Sequence, residues 1–165
     1  MARTTKTAQL QIRVTPAEKR ELARRAREAG LDVSRWVLGR LIPPRRAVFE
    51  ELVRALAVDP DPSYVLAEVG RLLSGLGRAE LSVVAEVLPP VVLDDVTANQ
   101  LAAMVETAAA RLRVRPPAWA IRIEPLRAPW FPTPLLSLRL HLLCNAPPAF
   151  RRRNLFVDST FESRV

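Results

Sequence analysis

Cysteine and histidine each occur once in the 165 residues, as Cys144 and His141. One cysteine excludes an intrachain disulfide. The pair is also too small for a metal site: there is no C-x-x-C and no H-E-x-x-H. Neither the G-x-x-x-x-G-K-[ST] loop nor G-x-G-x-x-G is present, so the common nucleotide cradles are missing. Asp94 and Asp95 are adjacent carboxylates that point apart, and a helix N-terminus accounts for them. His141 and Cys144, three apart in an apolar stretch, are expected to be packing residues. No catalytic residue, metal or cofactor is expected, and the chain does not read as an enzyme. No apolar run approaches the roughly 18 residues of a membrane span. The start, Met1-Ala2-Arg3-Thr4-Thr5-Lys6, leads into alternating residues and not into the apolar core of a leader. The chain is therefore expected in the cytoplasm, away from membranes. Lysine is scarce as well. Only Lys6 and Lys19 join 23 arginines, a bias read as genome composition.

What is present is charge, unevenly placed. The first 46 residues hold twelve Lys/Arg against four Asp/Glu, a surplus of eight. Residues 47–165 hold thirteen of each, so the whole formal charge of +8 lies in the first quarter of the chain. A basic module on a neutral body points to a polyanionic partner for that module.

From Ala8 to Val14 the residues alternate. Leu10, Ile12 and Val14 fall on one side and Gln9, Gln11 and Arg13 on the other, the pattern of a half-buried strand. Thr15-Pro16-Ala17-Glu18 then supplies an N-cap, a proline for the first helical position and the glutamate of a capping box. A helix runs to Ala29, where Gly30 suits a left-handed cap and Leu31 the apolar position after it. A second helix starts near Ser34 and stops at Pro43-Pro44. A single strand leaves both edges unpaired and encloses too small a core. Antiparallel pairing with a second copy would solve both problems. The segments Gln9–Glu18 and Ala29–Trp36 resemble the ribbon-helix-helix (MetJ/Arc-like) DNA-binding family over residues 8–42. The resemblance implies a homodimer joined through the N-terminal strand. It also implies base reading in the major groove of duplex DNA by Gln9, Gln11 and Arg13. Arginine suits guanine O6/N7 and glutamine suits adenine N6/N7. The second helix's N-terminus, at Val33, Ser34 and Arg35, would hold a phosphate. Arg3, Lys6 and Arg45 or Arg46 would add phosphate contacts.

Beyond this module, assigned to residues 1–45, helical spacing predicts helices over Arg46–Val58, Tyr64–Leu73, Glu80–Leu88 and Asp94–Leu112. They form a helical domain over 46–114. The remainder, 115–165, holds eight of the fifteen prolines, spaced by Trp119, Trp130, Phe131 and Phe150. It is expected to be extended, with short strands at Ile121–Ile123 and Ser137–Leu143. The alternative is that it packs on the chain's own helices. An extended segment with aromatic anchors suits a protein partner. The residues expected to bind it are Trp119, Trp130, Phe131, Phe150, Arg151, Arg152, Arg153 and Phe156. The tail from Trp130-Phe131-Pro132 to Asp158 resembles those of uncharacterised bacterial proteins paired with nucleotidyltransferase-type toxins. The fold class expected is thus mainly α, with an N-terminal ribbon-helix-helix module and an extended C-terminal segment. The leading function is an antitoxin that represses its own operon and covers a toxin with its tail. The competing functions are a plasmid mobilisation or partition accessory protein and a transcription regulator without a toxin.

Overall fold

A computed structural model of the chain describes residues 11–41 and 44–158. It divides the chain into two compact units, Met1–Pro43 and Pro44–Val165.

The N-terminal unit contains α1 (Pro16–Glu28) and α2 (Val33–Leu41) packed together. The sequence chemistry at both ends of α1 forms as expected. Thr15 Oγ1 accepts from the Glu18 backbone N–H (3.3 Å), and Glu18 Oε2 accepts in return from the Thr15 N–H (2.7 Å). Gly30 takes φ +67°. The Gly30 N–H bonds Arg27 O and the Leu31 N–H bonds Ala26 O, each at 3.0 Å, which closes a Schellman motif.

The expected N-terminal ribbon is not seen. Among the described residues there is no strand, and residues 11–15 before α1 are exposed, without regular secondary structure and outside any ladder. The physical reason is that a ribbon needs a second strand edge, and this chain offers none beside them. The part of the predicted strand before Gln11 lies outside the described residues.

The second unit is built on α6 (Asp95–Leu112), whose alanines let neighbouring helices come close and which is buried along most of its length. Asp94 caps it, accepting from the Val96 and Thr97 N–H groups at 2.9 and 3.0 Å. Burial pushes the Asp94 carboxyl up, but the bonds from Thr97 and Val96 outweigh it and hold it below its ordinary value. Against α6 pack α4 (Ser63–Ser74) and α5 (Arg78–Val84), and α3 (Arg45–Leu56) packs on those two. Phe49 and Val53 of α3, Leu66 and Val69 of α4, and Leu101 and Val105 of α6 are all buried in one core. Gly70 of α4 faces the Met104 side chain and Arg111 bonds Leu73 O, so α4 and α6 run parallel. Arg45, at the start of α3, bonds Gly75 O just past the end of α4, so α3 runs antiparallel to them.

The C-terminal segment is not extended, which is the second correction. The two predicted short strands are helical: α7 (Ala118–Arg122) covers the first, with Ile123 as its C-cap, and α8 (Leu136–Asn145) covers the second. A short apolar run does not separate strand from helix by periodicity alone. The last helix, α9 (Pro148–Arg151), leads into a return of the chain at Leu155, bridged to Trp130. Trp119, Ala120, Phe150, Leu155 and Val157 belong to the same core as α3–α6. Trp119 Nε1 donates to Ala85 O at 2.8 Å, taking up a carbonyl at the end of α5. A second small cluster joins Leu142, Ala146, Phe156 and Phe131, with the two phenyl rings stacked at 5.2 Å. The prolines thus serve short helices and turns folded onto the chain's own bundle. Among the described residues, no helix is long and apolar enough to cross a membrane.

Candidate nucleic-acid interface

The N-terminal unit carries its charge on an almost uncovered scaffold. Among those of its residues whose side chains are described, only Ala26 is buried, while Ile12, Val14, Leu31 and Val33 are large apolar residues left exposed. Part of the basic charge of α1 is neutralised on the helix itself. Arg24 bridges Glu21 and Glu28 at 2.6 and 2.5 Å, and Arg25 reaches Glu21 at 2.7 Å. Hydrogen bonds from Arg24 and Arg25 hold the Glu21 carboxyl down to about 2. Glu18 is lowered by the backbone and then the hydroxyl of Thr15. Lys19, Arg20 and Arg27 have no carboxylate partner among the described residues. Spacing explains the difference, since none of the three has an acidic residue three or four positions away on the helix. The sequence reading passed over these three cations, and that spacing is the signal that finds them.

Of the expected base-reading residues, Gln11 and Arg13 are exposed in the irregular segment before α1, whereas Gln9 lies outside the described residues. Arg3 and Lys6 lie outside them too. Val33 and Ser34 are exposed at the start of α2, and Arg35 follows in its first turn. The first free donors of a helix belong to such residues. The earliest α2 bond in the chain is from the Trp36 N–H to Asp32 O, at 2.9 Å. Farther along α2, the Arg40 guanidinium sits over the Trp36 ring, 5.5 Å from its centroid.

The residues expected to grip a protein partner are dispersed. Trp119, Phe150, Arg153 and Phe156 are buried within the chain's own unit. Trp130 and Phe131 are half-buried, and Arg151 and Arg152 are exposed. His141 and Cys144, expected to pack inside, are exposed on α8, and His141 Nε2 lies 3.5 Å from the Asp158 carboxylate.

These features define a helical protein with a separate basic helix pair at its N-terminus. Residues 4–78 match the family model NikA-like, described as Mobilization protein NikA. The matched stretch runs through the N-terminal unit, α3 and α4 and stops at the first residue of α5. It supports the coarser half of the resemblance seen in residues 8–42, a family of DNA-binding proteins, and offers nothing toward an antitoxin. No curated protein and no solved structure matches the chain.

Proposed function

We propose that this chain is a DNA-binding accessory protein of mobilisation, which binds duplex DNA through its N-terminal unit and acts by binding, without catalysis, in the cytoplasm. The observation that carries this reading is the match of residues 4–78 to the mobilization-protein family, because it spans the part of the chain where all the net charge lies. Gln9, Gln11 and Arg13 are the residues assigned to base edges. The N-terminus of α2, with Arg3 and Lys6, is assigned to phosphates. The exposed Ile12, Val14, Leu31 and Val33 support an oligomer, since apolar residues around so small a core need a cover. The antitoxin alternative rested on an extended aromatic tail, and its aromatic residues are largely spent on the chain's own core.

Two measurements test the reading. Fluorescence anisotropy on duplexes should show Arg13→Ala relaxing sequence preference, and Arg3→Ala or Lys6→Ala weakening all duplexes alike with a flatter salt dependence. Equal losses for Arg13→Ala on preferred and random duplexes would remove its base-reading role. In cells, deleting the gene from a mobilisable plasmid should lower transfer frequency without affecting host growth. A growth defect relieved by deleting a neighbouring gene would instead favour the toxin-linked alternative.

A further inference from the structure

The second unit, residues 44–165, holds fifteen arginines against thirteen Asp/Glu, and one of its ends is rich in arginines without a carboxylate partner. One end collects the start of α3, the end of α4, the start of α5 and the end of α6. Three contacts fix that placement: Arg45 to Gly75 O at 2.7 Å, Arg111 to Leu73 O at 2.9 Å and Arg78 to Arg113 O at 3.1 Å. Arg45 and Arg46 are there too, neutralised by Glu80 and Glu50 at 3.0 Å each. Arg78 and Arg111 give their hydrogen bonds to backbone carbonyls and keep their whole charge. Arg113 and Arg115 are exposed and have no side-chain partner among the described residues. At the other end, where α4 and α6 begin, lie Asp59, Asp61, Asp94 and Asp95. Glu124 joins them, its carbonyl accepting from Asn99 at 3.0 Å, one turn into α6.

We propose that the Arg78, Arg111, Arg113 and Arg115 end of this unit is a second nucleic-acid surface, one that binds the phosphate backbone of duplex DNA without reading sequence. Helix capping accounts for Arg78 and Arg111, which satisfy terminal carbonyls, but not for Arg113 and Arg115. A protein partner would need apolar or aromatic anchors at the centre of the patch. No large apolar residue in 71–79 or 109–117 is exposed. Cations without such anchors suit sequence-independent phosphate contact. The unit's own first residue, Pro44, directly precedes α3 at this end. The proposal rests on the reading of the chain as DNA-binding.

The test uses the full-length chain and a fluorescent 40-base-pair duplex of mixed sequence, titrated at several sodium chloride concentrations. Arg113→Gln with Arg115→Gln is compared with Arg122→Gln and Arg127→Gln, an exposed pair elsewhere on the unit that removes the same charge. Circular dichroism melting confirms that both variants are folded. Each phosphate contact contributes about 0.9 to the slope of log affinity against log salt. The first pair should therefore lower the slope by roughly two and weaken binding on the order of tenfold at 0.1 M salt. The second pair should leave both unchanged. Equal behaviour of the two pairs overturns the second surface. If wild type binds and Arg13→Ala alters its preference while the slope stays fixed, only this proposal falls. If wild type binds no duplex, the DNA-binding reading falls with it.

Discussion

Arg153 is the most constrained side chain in the second unit. Its Nη1 donates to Asn99 Oδ1 at 3.0 Å and to Ile123 O at 2.9 Å. Its Nη2 donates to Glu106 Oε1 at 2.6 Å and to Ala120 O, while Nε is buried without a partner. One guanidinium thus ties the chain after α9 to α6, to the middle of α7 and to its C-cap. Removing it would leave a mostly buried Glu106 carboxylate without its main counterion, and breaking such a pair costs about 3–5 kcal/mol. Arg153→Ala should lower unfolding stability in urea by about that amount, whereas Arg151→Ala, exposed two residues earlier, should stay within about 0.5 kcal/mol. Similar values for the two would mean that the buried network contributes little. In the sequence, Arg151-Arg152-Arg153 read as a single cationic cluster for a partner. A three-residue run does not reveal which member the turn after α9 sends inward. That depends on Asn154 adopting φ +56° and on carbonyls about 30 residues away.

Helix ends were the most readable elements because their chemistry is local. Thr15, Pro16, Glu18 and Gly30 bound α1, and Asp94 opens α6, all as the sequence indicated. The Glu18 and Glu21 carboxyls lie below their ordinary value of 4.5 in the folded chain. Groups with depressed folded values stabilise fully above the unfolded value, and the contribution is lost as pH falls through the folded one. The support these two carboxylates give α1 is thus complete above about pH 4.5 and fades toward pH 2. A carboxyl NMR titration should place Glu21 about 2 and Glu18 below its ordinary value. In Thr15→Ala, which keeps the backbone N–H and removes the hydroxyl, Glu18 should move only part of the way back up while Glu21 stays. An unmoved Glu18 would remove the Thr15 hydroxyl as a cause and leave the backbone N–H alone. Gly30→Ala should cost about 1–2 kcal/mol, since Cβ penalises the left-handed region, and local amide exchange in α1 would report the loss. Elements after α6 were less readable. Apolar runs as short as Ile121–Ile123 and Ser137–Leu143 fit either periodicity, and only their packing against α6 and Phe156 decides for helix. The expected helix to Leu88 ends at Val84, because Ala85 turns its carbonyl to the Trp119 indole, a contact 34 residues away.

At the scale of the whole molecule, the sequence showed a helix stop at Pro43-Pro44 and the concentration of charge in residues 1–46. It concealed two things that depend on three-dimensional sorting. A charge sum of zero hid the basic end at Arg113 and Arg115, because helix direction, and not position in the chain, decides which arginines meet. Composition hid the role of residues 115–158, because the proline spacing that suits an extended arm also suits short helices laid over a bundle. The second point decides how function should be tested. Trp119, Ala120, Phe150, Leu155 and Val157 sit in the core with α3–α6. Burying each large apolar side chain is worth about 1.5–3 kcal/mol, so losing these together approaches the 5–15 kcal/mol of a whole domain. A chain ending at Val114 should therefore lose the cooperative unfolding of the second unit and bind a hydrophobic dye. Loss of any activity in that truncation would then report unfolding, not a missing binding arm. An exposed substitution such as Arg151→Ala separates the two, since it leaves the core intact. A truncated chain that unfolds cooperatively at full-length stability would refute the shared core, and would restore the C-terminal segment as an independent arm.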